Sequence, residues 1–105
     1  MRNTIATASA LLTNAVGLHA RPSVRLTQLA KSFAAQVEVA LDPEGPWVDA
    51  KSPVKTMKVK APNGTTLYFR AHGADAKEAV RSLATLVERR FDEPEGSSGN
   101  GAADG

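Results

Sequence analysis

The chain has 105 residues, enough for one compact domain with its own core and too few for two ordinary ones. It contains no cysteine, which excludes a disulfide framework, a thiol nucleophile and any thiolate metal site. Thirteen Lys and Arg against eleven Asp and Glu leave a formal charge of +2, a sparser excess than a nucleic-acid-binding stripe needs.

The N-terminal stretch holds one arginine before its apolar residues, but Thr7, Ser9, Thr13 and Asn14 interrupt them. A secretory signal needs a continuous apolar run of about 7–15 residues, and a membrane span needs about 20. A soluble cytoplasmic protein with no membrane insertion is expected.

Ala6 to Thr13 reads as a first strand, although its alanines are weak strand formers. Asn14 to Gly17 reads as a turn. From Ala20 to Phe33 the apolar residues Leu26, Leu29, Ala30 and Phe33 recur at helical spacing on one face. Gln36 to Leu41 alternates, which predicts a half-buried strand with Val37, Val39 and Leu41 inward. Asp42 to Pro46 is a turn, and Trp47 to Ala50 a short returning strand, with Trp47 covering the sheet edge or core.

Ser52 followed by Pro53 predicts a short capped helix: serine at the N-cap, proline where its missing N–H costs nothing. Pro62-Asn63-Gly64 ends that unit. Thr65 to Ala71 alternates again, with Leu67, Phe69 and Ala71 inward, Tyr68 and Arg70 outward, and Gly73 closing the strand after a surface His72. Asp75 and Glu78 have the spacing of a capping box. The helix that follows runs to about Arg90 on a stripe of Ala76, Ala79, Val80, Leu83, Ala84 and Val87. Residues 93–105, EPEGSSGNGAADG, hold no large apolar side chain and are expected to form a disordered tail or the remnant of a linker. The domain is thus placed at residues 1–92.

The order β-α-β-β-α-β-α predicts an α+β domain: an open-faced sandwich with a four-stranded, mostly antiparallel sheet and three helices on one face.

The chemistry concentrates in Gly17-Leu18-His19-Ala20-Arg21-Pro22-Ser23, at a turn-to-helix junction. A helix N-terminus offers unpaired N–H groups and about half a unit of positive charge, which suits an anion. Arg21 can add a charge-assisted hydrogen bond to a phosphoryl oxygen. An imidazole held neutral by that positive end is a nucleophile near neutral pH. On local chemistry alone two readings of His19 stay open, a capping side chain and a phosphoryl acceptor. No group of histidines has metal-ligand spacing, no Walker-type loop is present, and no cofactor is expected. Tyr68 alone is placed to stack on a base, so no nucleic-acid partner is expected either.

The string Gly17-Leu18-His19-Ala20-Arg21-Pro22 resembles the active-site signature of HPr, the histidine-containing phosphocarrier of the phosphoenolpyruvate-dependent phosphotransferase system. The resemblance runs from about Ile5 to Arg90. It takes in Lys51-Ser52, the Pro62-Asn63-Gly64-Thr65 turn and His72-Gly73-Ala74-Asp75-Ala76. It implies a monomeric covalent carrier rather than an enzyme. His19 would be phosphorylated on Nδ1 by phosphorylated enzyme I and would donate to an enzyme IIA component in sugar uptake. Arg21 would bind the phosphoryl oxygens and Pro22 would hold the junction. The alternative it implies is a regulatory phosphotransfer module of the same fold, in nitrogen or carbon regulation, acting through His19 or Ser52.

Ser52 stands at the position of the family's regulatory serine, which implies an HPr kinase/phosphorylase as a further partner. The Pro53-Val54-Lys55 that follows departs from the pattern common in regulated members, and a plain N-cap explains the serine equally well. Val54 and Met57, rimmed by Lys51, Lys55 and Lys58, form either a docking patch or part of the core. Arg25, one turn beyond Arg21, would extend the basic rim toward an acidic partner.

Overall fold

The computed structural model describes residues 5–13, 18 and 20–92. The expected order is found: β1 (Ile5–Leu11), α1 (Ala20–Lys31), β2 (Gln36–Ala40), β3 (Val48–Asp49), α2 (Pro53–Met57), β4 (Thr66–His72) and α3 (Ala76–Glu88), then a single 3-10 turn at Arg90–Asp92. The sheet has the order β1-β4-β2-β3, and every pairing is antiparallel.

Alternation decides which face is buried. Leu67, Phe69 and Ala71 of β4 and Val37 and Val39 of β2 point into the core, where Leu26 and Ala30 of α1 and Val80, Leu83 and Val87 of α3 meet them. Helix α3 packs on β1, β4 and β2, and α1 lies against α2 and α3. The opposite sheet face stays open. There Arg70 Nε donates to Glu38 Oε1 at 2.7 Å, across the Glu38–Arg70 register pair, and its guanidinium stacks 4.3 Å from the centre of the Trp47 ring. Trp47 thus covers the open face at the sheet's β3 side.

Two strand expectations shift. Leu41 was expected inward, but β2 ends at Ala40, the chain turns there, and Leu41 is exposed. The first strand closes at Leu11 rather than Thr13, because Leu12 and Gly64 begin the turn: Leu12 N–H donates to Thr65 O and Gly64 N–H to Leu12 O, both at 2.8 Å. Helix α1 stops at Lys31, two residues short of Phe33.

The capping box at Asp75 does not form. Asp75 is the N-cap of α3 by position, but its side chain makes no capping bond. Its carboxylate instead accepts the N–H groups of Ala34 and Ala35, at 2.9 and 2.8 Å, in the turn between α1 and β2. The Ser52-Pro53 cap does form: Ser52 Oγ accepts the Lys55 N–H at 3.3 Å. The tail 93–105 lies outside the described residues.

Candidate functional site

His19 and the turn expected at 14–17 lie outside the described residues; the residues on either side of them are described. On one side Leu18 is buried, and its N–H donates to the carbonyl of Ala61 at 2.7 Å. On the other, Ala20 opens α1, a helix of 12 residues. Pro22 sits in the first turn, where it removes only an N–H that has no helical partner.

Arg21 is exposed at this end of the helix, while Pro22 and Ser23 are fully buried. The Ser23 hydroxyl has no hydrogen-bond partner among the described residues.

Helix α1 and the turn after it are tied to the residues that lead into α2: Thr27 Oγ1 donates to Ala50 O at 3.2 Å, and Lys51 Nζ to Phe33 O at 2.8 Å. Lys51, expected on a charged rim, therefore holds the turn after α1 as well. Val54 is exposed rather than in the core, Val24 of α1 is exposed too, and Met57 is half-buried. In the same two segments, or just beyond them, Arg21, Arg25, Lys55, Lys58 and Lys60 are all exposed. Residues 20–31 and 50–61 contain no aspartate or glutamate, so every acid in the chain lies elsewhere. Arg25 does more than extend the rim, since its Nη1 donates to the carbonyl of Phe91 at 3.0 Å.

Sequence reasoning missed three features of this end of the molecule. Lys60 has a left-handed backbone, φ 54, immediately before the Ala61 that holds Leu18. Lysine carries no signal for that conformation, which glycine and asparagine favour. The contact of Leu18 with Ala61 spans distant positions and leaves no local pattern. The turn after α3 has left-handed residues at Arg90 and Phe91, and Phe91 is fully buried.

None of the described helices is long and apolar enough to cross a membrane. A family model described as "PTS HPr component phosphorylation site" matches residues 6–89. The phosphocarrier protein HPr of Cupriavidus necator is 43% identical over 82 residues, which cover 78% of this chain and 90% of that protein. The phosphocarrier protein NPr of Proteus mirabilis is 32% identical over 80 residues, covering 76% and 88%. A crystal structure of HPr from Thermoanaerobacter tengcongensis matches with a TM-score of 0.76 at 31% identity, over 85% of this chain and 98% of that one. By motif, fold and sequence alike, the chain belongs to the HPr family of phosphocarrier proteins of the phosphotransferase system.

Proposed function

We propose that His19 accepts a phosphoryl group on Nδ1 from phosphorylated enzyme I and passes it to an enzyme IIA component in sugar uptake. The chain is then a covalent intermediate between two partners, not an enzyme with a substrate pocket. The observation that supports this reading is that α1 opens at Ala20, directly after His19 in the sequence, with Arg21 exposed and Pro22 buried in its first turn.

Helix-end N–H groups and Arg21 would stabilise the charge of the phosphorylated state. Pro22, buried in the first helical turn, would fix the junction. Val24 and Val54, exposed among Arg21, Arg25, Lys55 and Lys58, offer an apolar centre with a basic rim, a surface suited to an acidic partner met transiently. Met57, half-buried beside them, would add to the centre.

A second reading has a specific observation in its favour: the similarity to NPr extends over 76% of the chain. In that reading the phosphorylation state of His19 or Ser52 is a regulatory signal, and HPr kinase/phosphorylase is a partner if Ser52 is modified.

The test is the intact mass after incubation with phosphoenolpyruvate, magnesium and enzyme I. One acid-labile phosphoryl group, absent in His19→Ala, is the expected result. Labelling that survives His19→Ala overturns the assignment. Transfer onward to an enzyme IIA component then separates the uptake reading from the regulatory one.

A further inference from the structure

Strand β1 lies at an edge of the sheet: β4 pairs with one side of it, and no described residue pairs with the other. Leu12 N–H donates to the Thr65 carbonyl, and bonding alternates along an antiparallel ladder. Ala10, Ala8 and Ala6 therefore direct their N–H and C=O groups to β4, while Ile5, Thr7, Ser9 and Leu11 direct theirs outward. Edge strands ordinarily carry a lysine, a proline or a bulge that discourages further pairing. The segment Ile5–Leu11 reads IATASAL in unbroken register with β4 and carries none of them. The opposite edge, β3, is only two residues long.

We propose that this edge pairs with β1 of a second copy of the chain, the two strands running antiparallel about a twofold axis at Ala8. The strand matches itself in that register. Thr7 of each copy stands opposite Ser9 of the other, both with outward backbone groups, so the ladder bonds can form. Ile5 stands opposite Leu11 on the open sheet face. These two side chains are 67% and 51% exposed in the single chain, and each gains an apolar neighbour. On the other face only Ala6, Ala8 and Ala10 approach one another, so nothing bulky keeps the two sheets apart. The monomer that the family resemblance implies is then the dilute form of the chain.

Charge on α3 agrees with the same axis. Strand β4 ends at His72 beside Ile5, and α3 begins at Ala76, so α3 runs back along β1 from the Ile5 end toward the Leu11 end. Ala6 and Ala8 line an open cleft of about 490 Å³ with Lys77, Arg81, Ala84 and Glu88. Eleven helical steps, about 16 Å, separate Lys77 from Glu88, and six strand steps, about 20 Å, separate Ile5 from Leu11. The twofold axis thus brings the exposed Lys77 of each copy toward the exposed Glu88 of the other. Arg81, one turn in from Lys77, adds positive charge toward the same glutamate. Parallel pairing would set like charges together, so charge selects the antiparallel sense.

The test is sedimentation of the purified chain across a concentration series, read together with amide hydrogen exchange. The average mass should rise toward twice that of one chain, and the Thr7 and Ser9 amides should gain protection as it does. Thr7→Pro removes an outward N–H that β4 does not use, so the fold should survive and self-association should be lost. If Thr7→Pro does not fold, Ser9→Lys carries the same test by placing a charge on the edge. Lys77→Glu and Glu88→Lys should each weaken association, and the double variant should restore it, which a local effect on α3 would not do. A mass of one chain at every concentration overturns the proposal. So does a dimer whose Thr7 and Ser9 amides exchange freely, one that persists in the folded edge variant, or one that the paired charge reversal fails to restore.

Discussion

Asp75 Oδ1 accepts the N–H of Ala35 at 2.8 Å across 40 positions of sequence, and Oδ2 accepts the neighbouring Ala34 N–H at 2.9 Å. One carboxylate thereby closes the turn between α1 and β2 onto the start of α3. Lys51 adds a third hold on the same turn through the Phe33 carbonyl. The end of α1 opposite the site is thus anchored to α3 and to the approach of α2. A helix tied at one end presents the other in a fixed direction.

The two N–H donors hold the Asp75 carboxyl below its ordinary value, the Ala34 bond acting most strongly and desolvation opposing it. A depressed folded-state pKa means stability that is complete above the unfolded value, about 3.9, and lost as the pH falls through the folded one. Thermal midpoints measured from neutral to strongly acidic pH should fall in that low window. Asp75→Asn should have a lower midpoint at neutral pH and a flatter acid limb. An acid limb of unchanged slope in the variant would show that other carboxylates govern the transition.

Gly73 makes that closure possible. Its φ is 140, and a Cβ built on it would stand 3.1 Å from the backbone Cα of Ala35. Gly73→Ala meets both an unfavourable backbone and a crowded neighbour that cannot rotate away. A loss of about 1–3 kcal/mol is expected, read as a lower urea midpoint. A midpoint equal to wild type would mean that the turn shifts freely.

Lys60 presents the opposite case, a non-glycine residue in a glycine conformation at φ 54. Relief of the left-handed penalty in Lys60→Gly should contribute roughly 1–2 kcal/mol, and the added freedom of the unfolded chain should offset about 0.4–1 of it. A small net gain follows, and Lys60→Ala should show none. A urea midpoint for Lys60→Gly below that of Lys60→Ala would remove strain as a property of this position.

Much of the fold was legible because alternation and helical spacing survive the reading of a single chain. Val37 with Val39, and Leu67 with Phe69 and Ala71, declared their buried face directly. The Ser52-Pro53 cap is local chemistry and formed as expected. Asp75 has the same local credentials and did otherwise, because two unpaired N–H groups from a distant turn reached its carboxylate first. The site divides in the same way. The Gly17 to Pro22 string carries the family resemblance in its letters, whereas the bonds of Leu18 to Ala61, Arg25 to Phe91 and Arg90 to Thr13 join remote positions. Left-handed backbone at Lys60, Arg90 and Phe91 was invisible for the same reason: tertiary contacts impose it on residues that do not ask for it.

Ser52 allows its two roles to be separated by substitution. Its hydroxyl accepts a single N–H, from Lys55, at the long distance of 3.3 Å, so loss of the cap in Ser52→Ala should cost at the lower end of about 0.5–2 kcal/mol. Ser52→Asp keeps an oxygen acceptor at the N-cap and adds negative charge beside Lys55, so its thermal midpoint should stay near wild type. If the serine is only a cap, phosphorylation of His19 by enzyme I proceeds equally in both variants. If it is a regulatory site, Ser52→Asp slows that reaction while Ser52→Ala does not, because it places a negative charge in a segment, residues 50–61, that otherwise holds no acid. The two outcomes differ in rate alone, with stability measured independently, so a weakened fold cannot imitate regulation.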